Sequence, residues 1–118
     1  MIALGYSLHK LENIEYPVYD YYVVREKTIA EKIATTFPET PELMLAIANC
    51  ESGLNQEAVS HTRDFGVMQV NERVWDETAQ ELDLDYKNNE DDNLEMARYI
   101  YEIQGLDAWV CYDIVAMN

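Results

Sequence analysis

Residues 40–55 read TPELMLAIANCESGLN, an apolar helix that closes on a carboxylate. Thr40 before Pro41 has the form of an N-cap followed by proline at the first helical position. Leu43, Ile47 and Cys50 recur on one face, and Gly53 supplies a C-terminal stop. Glu51 therefore falls in the last turn, at the edge of the apolar stripe. The negative end of the helix dipole disfavours an anion there, and apolar neighbours disfavour its charged form. A glutamate so placed is either an exposed end residue or a carboxyl kept protonated to serve as a general acid.

Outward from this helix the chain reads as mostly helical. Upstream, Ile29, Ile33 and Phe37 mark one helix face from Thr28, ended by Pro38. Downstream, residues 54–71 lack helical period and contain Gly66, so they read as a loop or small hairpin. Val74, Trp75, Ala79 and Leu82 predict a third helix, followed by an acidic loop to Asp92. Met96, Ile100 and Ile103 predict a fourth, ending at Gly105, and Leu106, Trp109, Val110 and Ile114 a fifth. Residues 1–25 differ in kind: they hold five of the nine tyrosines and the run IEYPVYDYYVV. That composition predicts an extended arm or an edge strand, since Pro17 excludes a central one. The division expected is a Tyr-rich N-terminal arm over 1–25 and a single domain over 26–118.

The chain has 118 residues and a formal net charge of −15, with 48% hydrophobic residues. One domain with a real core fits that length. Only 8 lysines and arginines oppose 23 acids, which argues against nucleic acid and anionic lipid as partners. No apolar run reaches membrane-spanning length, and MIALGYSL is too short for a signal-peptide core, so no membrane insertion and no signal peptide are expected. DLDYKNNEDDNLE, from Asp83, lacks the sixth-position glycine and the twelfth-position glutamate of a calcium loop. His9 and His61 have no partner at ligand spacing, so neither a metal nor another cofactor is expected. Cys50 and Cys111 can form one disulfide in an oxidising compartment or remain two thiols in a reducing one.

The segment after the acid-bearing helix, HTRDFGVMQVNERVW, collects Asp64, Gln69, Asn71, Arg73 and Trp75. Amides contact sugar hydroxyls and N-acetyl groups, and a tryptophan face stacks on a pyranose ring. Beside a protonated carboxyl, that is equipment for glycoside cleavage. Taken in order, CESGLNQEAVS, DFGVMQVN and NLEMARYIYEIQGLDAW resemble the lysozyme-like superfamily, in particular its soluble lytic transglycosylase branch. The DFG lead-in and the N-x-R-x-W tail are also similar to animal-type lysozymes. The resemblance spans about residues 40–113 and implies a mainly α, lysozyme-like α+β fold with a short irregular or hairpin excursion after the catalytic helix.

What the resemblance implies is carried residue by residue. Glu51 matches the catalytic acid and Ser52 the serine that follows it. Met68 and Gln69 match residues lining the sugar cleft, and Asn71 and Trp75 match cleft-wall positions. Tyr112 stands where the transglycosylase branch has a tyrosine near the acid, although Asp113 replaces the asparagine expected after it. Asp64 matches the second carboxylate of animal-type lysozymes, which stabilises the transition state or attacks as a nucleophile; lytic transglycosylases manage with the glutamate alone. The last helix of this family packs near the acid-bearing helix, which implies a Cys50–Cys111 disulfide behind Glu51.

The expectation is a lytic transglycosylase that cleaves the β-1,4 bond between N-acetylmuramic acid and N-acetylglucosamine. The alternatives are a hydrolytic lysozyme using Glu51 and Asp64, and a non-catalytic glycan-binding or structural module. The partner expected is the peptidoglycan glycan strand, in an extracytoplasmic setting that is periplasmic, secreted or virion-associated. The acidity suits an enzyme held near its substrate by a virion or cell-envelope assembly partner better than a freely diffusing antibacterial.

Overall fold

The computed structural model describes the backbone of residues 2–11 and 14–23 and the whole of residues 25–117. Strands β1 (Ile2–Leu11) and β2 (Ile14–Val23) pair antiparallel, with Leu8 opposite Pro17 and Tyr6 opposite Tyr19. In a two-stranded sheet both strands are edges, and that is where a proline is tolerated.

Five helices follow among the described residues: α1 (Ile29–Thr36), α2 (Pro41–Ser52), α3 (Glu72–Glu81), α4 (Glu90–Gln104) and α5 (Cys111–Ala116). Between α2 and α3 lies a minimal antiparallel hairpin of β3 (Asp64–Phe65) and β4 (Val70–Asn71). The fold is thus mainly α with one small excursion after the glutamate-bearing helix, as the sequence predicts. No helix among the described residues is long and apolar enough to cross a membrane.

Helix α1 begins with a reciprocal cap. Thr28 Oγ1 accepts from the Glu31 amide at 3.2 Å, and Glu31 accepts from the Thr28 amide at 3.3 Å. Such a cap contributes about 1 kcal/mol. Ile33 and Phe37 carry its face into the core. Helix α2 buries Met44, Ile47 and Ala48 rather than the predicted row of Leu43, Ile47 and Cys50. Leu43 is half-buried, and Cys50 stands at the surface because a covalent bond, not burial, fixes its place. Thr40 occupies the N-cap position without a side-chain capping bond.

Helix α4 is the central element and buries Asn93, Leu94, Met96, Ala97 and Ile100. It starts earlier than predicted. Asn89 caps it by accepting from the Asp92 amide at 2.9 Å, and Glu90, Asp91 and Asp92 form its first turn. Part of the acidic run therefore stabilises a helix N-terminus instead of forming a loop. The predicted fifth helix is broken in two: a 3₁₀ turn over Gly105–Ala108, then α5. The break falls at Trp109, whose buried indole N–H donates to the Met68 carbonyl at 2.8 Å. Val110 is consequently 79% exposed, and Ile103 and Ile114 also face outward. On α3, Trp75 and Ala79 pack inward while Val74 and Leu82 do not.

Candidate active site

Gly53 ends α2 in the left-handed region at φ 65°, its amide donating to the Asn49 carbonyl at 2.8 Å. Glu51 sits in the turn before it, half-buried. Its Oε2 accepts a long 3.5 Å bond from the Cys111 amide at the start of α5. Burial raises the Glu51 carboxyl above its ordinary value; the Cys111 amide pulls it partly back, and the charge of Asp64 pushes it up again. Among the described residues no lysine or arginine pairs with it. The position is that of a carboxyl which holds its proton to higher pH than an exposed glutamate.

Asp64 is the other carboxylate of the site. Strand pairing sets it opposite Asn71, whose Nδ2 donates to Asp64 Oδ1 at 2.8 Å. Ser60 Oγ donates to Oδ2 at 2.7 Å, and Thr62 Oγ1 donates to the same oxygen. Burial pushes the Asp64 carboxyl up, but these three hydrogen bonds, with His61 adding its attraction, bring it below the ordinary value. Two carboxyls near enough to influence each other are thus driven apart, Glu51 toward the protonated form and Asp64 toward the ionised form.

The hairpin holding Asp64 is locked to its surroundings by residues to which sequence reasoning gave no role. The Asn93 side chain is fully buried. It accepts from the Met68 amide at 2.9 Å and donates to the Phe65 and Tyr86 carbonyls at 2.8 and 2.9 Å. Gln56 donates to the Tyr86 and Lys87 carbonyls and accepts from the Val67 amide. Both amides crowd against Gly66, at φ +78°, where an added Cβ would overlap them. Tyr86, buried against Phe65, donates its hydroxyl to Asp76 at 3.1 Å. The available signal for Asn93 was its place at the head of the NLEMARYIYEIQGLDAW stretch; nothing local marked Gln56 or Tyr86.

The remaining expected site residues fall into two groups. Asn71 stands in the site, holding Asp64 while its Oδ1 caps α3 by accepting from the Val74 amide at 3.2 Å. Tyr112 lies half-buried on α5 beside Cys111. Ser52 acts as a clamp: its hydroxyl donates to Val67 O at 2.7 Å and contacts Ala48 O, tying α2 to the hairpin. The Met68 side chain is wholly buried in the core, so only its backbone is open to a cleft role, and Trp109 already uses the carbonyl. Gln69, at φ 52°, turns its amide nitrogen back to the Ala58 and Gly66 carbonyls. Trp75 is half-buried on α3, edge-on to Tyr99 with ring centres 6.3 Å apart.

Behind Glu51, Cys50 is bonded to Cys111 with their Cα atoms 6.0 Å apart. The bond spans 61 residues of sequence. Closing a loop of that length removes denatured-chain entropy worth about 4 kcal/mol. It also joins the end of α2 to the start of α5, the two elements between which Glu51 lies. A separate cleft of about 640 Å³ between α1 and α4 is lined by Lys32, Thr36, Asp91 and Arg98 but does not include Glu51. Lys32 and Arg98 are already engaged there with Glu90, Asp91, Glu39 and Glu102.

No curated protein and no solved structure matches the chain. Residues 28–102 match the family model described as Transglycosylase SLT domain. The matched span contains Glu51, Asp64, Asn71 and Asn93, while Cys111 and Tyr112 lie beyond it. With more than half of its length in that match, the chain belongs to the transglycosylase SLT domain family.

Proposed function

We propose that this protein is a peptidoglycan lytic transglycosylase acting on the β-1,4 bond between N-acetylmuramic acid and N-acetylglucosamine. The observation that carries the proposal is Glu51: a half-buried carboxyl, unpaired with any cation among the described residues and biased toward its protonated form, inside the family match. Glu51 donates its proton to the glycosidic oxygen as the bond to C1 breaks. Positive charge develops on C1 and the ring oxygen, and ionised Asp64 stabilises it across the site. The Glu51 carboxylate then removes the proton of the muramic C6 hydroxyl, whose oxygen bonds to C1. A 1,6-anhydro ring forms, no water is consumed, and the glutamate is again protonated.

Ser52 and Asn71 support this chemistry by holding the hairpin and Asp64, and Gln69, Trp75 and Tyr112 supply surface for the glycan. The catalytic unit in this reading is residues 26–118, with the Tyr-rich arm of residues 1–25 an appendage to it. The substrate places the enzyme outside the cytoplasm, held there by a virion or cell-envelope assembly.

A second reading, hydrolysis by a lysozyme mechanism, is favoured by one observation. Asp64 is held ionised by three donors, more than a turn residue needs. Digestion of purified peptidoglycan by the wild type and by Glu51→Gln, with products weighed by mass spectrometry, separates the readings. Anhydromuramoyl ends that vanish in the variant support the transglycosylase. Reducing ends, one water heavier, make it a hydrolase. Binding to the wall without any release would leave a non-catalytic module.

A further inference from the structure

The geometry points to a redox gate on the active site: the Cys50–Cys111 bond holds the Cys111 amide and the start of α5 against Glu51, so the chain is fully active only when oxidised. Cys50 immediately precedes Glu51, and the first amide of α5 is the hydrogen-bond donor that Glu51 accepts. Cys111 is thus a positioning residue, acting through its amide and its sulfur. Glu51 is a last-turn residue with no other hydrogen-bond donor recorded among the described residues. Helix α5 has only six residues, too few to hold its place by intrinsic helicity. Val110 is exposed, and α5 meets the core through the Trp109 just before it and through Cys111, with Tyr112 and Val115 partly buried beside them. The inference rests on Glu51 being the acid of the proposed reaction.

The bond forms by thiol–disulfide exchange. The Cys50 and Cys111 thiols pass two electrons and their two protons to a small-molecule or protein disulfide, which leaves as two thiols. In a reducing compartment the reverse exchange with a dithiol opens it. Cys50 stands at the surface, so attack from solvent is open on that side, whereas Cys111 is buried. Peptidoglycan lies where disulfides persist, and the cytoplasm is where they do not. The gate therefore keeps the enzyme weak where it is made and turns it on where its substrate is.

The test uses the full chain, oxidised and after dithiothreitol, together with the Cys50→Ala/Cys111→Ala double variant. Reduction is expected to lower kcat/KM on purified peptidoglycan by on the order of tenfold, reversibly, with the helical circular dichroism retained. The double variant should sit at the reduced level and ignore dithiothreitol. Independently of turnover, carbon NMR should show the Glu51 carboxyl titrating at a different pH once the bond opens, because the Cys111 amide and the burial against α5 both act on it. Coincident titrations in the two forms, or full activity after reduction, overturn the gate. Loss of the helical signal along with activity makes the bond a staple of the fold and overturns it too. If the oxidised chain cleaves nothing while the titration still moves, the transglycosylase reading fails and the positioning by Cys111 stands.

Discussion

Glu51 and Asp64 belong to the same site but are solvated in opposite ways, and the difference comes from the backbone that carries each. A helix ending points carbonyls outward, so the last turn of α2 offers Glu51 no amide of its own, and among the described residues its donor is the Cys111 amide, at a long 3.5 Å. A tight turn does the reverse. Between Val59 and Asp64 the chain presents Ser60 and Thr62 hydroxyls to the carboxylate, and β4 brings Asn71 across. One carboxyl is left short of donors and the other is surrounded by them. In a protein of net charge −15, protonation is set locally, by burial at Glu51 and by donor supply at Asp64.

The sharpest way to break the comparison is to neutralise each carboxyl in turn. Glu51→Gln removes the transferable proton and should cost about 10³-fold in turnover on purified peptidoglycan. Asp64→Asn removes only a stabilising charge and should cost about tenfold. Equal losses would make the two an obligate pair and favour the hydrolytic reading.

The next effect concerns what holds the two halves apart. The end of α2 is fixed by a covalent bond, the hairpin by hydrogen bonds to Asn93 and Gln56. Asn93→Ala takes the side-chain partner from the buried Met68 amide and Phe65 carbonyl, while the Tyr86 carbonyl keeps its bond from Gln56, at a cost of about 2–4 kcal/mol. Thermal unfolding should move down by roughly 10–20 °C. A shift within about 2 °C would show that Gln56 alone secures the hairpin.

These particulars mark where the sequence was legible. Periodicity and terminal signals located α1 and α2 closely, because Thr28, Pro38, Pro41 and Gly53 act on their own local backbone. The glutamate was legible for the same reason: its conflict with the helix end is local. The face of α2 and the break at Trp109 were not, since each is decided by a distant partner, Cys111 for Cys50 and Met68 for Trp109; the early start of α4 rests on the local Asn89 cap inside an acidic run that has no apolar period. Met68 shows the converse. Its place in the motif suggested a cleft lining, yet its side chain fills the core, and only packing distinguishes those roles. Tyr86, inside an acidic stretch, gave no period to read; its burial follows from Phe65 and Asp76 meeting it in space.

The pH profile sharpens the contrast further. In the proposed reaction Glu51 acts protonated and Asp64 ionised, so activity should fall on the alkaline side through the raised Glu51 value and on the acid side through the lowered Asp64 value. Asp64 contributes to raising Glu51, so in Asp64→Asn the alkaline limb should move to lower pH while the acid limb disappears. A stationary alkaline limb in initial-rate measurements would mean that the two carboxyls do not sense each other.

The smallest effect is the one in which the two carboxyls should differ in sign. The folded chain holds Glu51 above its unfolded value, so its favourable contribution is complete below the unfolded value and is lost as pH rises through the folded one. At pH 7, above the unfolded value, burying this carboxyl therefore costs stability, and Glu51→Gln, which can still accept from the Cys111 amide, should raise the melting temperature by about 1–3 °C. At pH 3 wild type and variant should melt together. Asp64 is held below its unfolded value, so its contribution is present above that value and is lost as pH falls through the folded one. Asp64→Asn should accordingly lower the melting temperature at pH 7, and less so in acid. If both substitutions moved the melting temperature in the same direction at pH 7, burial and donor supply would not be what separates the two carboxyls, and the assignment of acid and stabiliser would lose its physical basis.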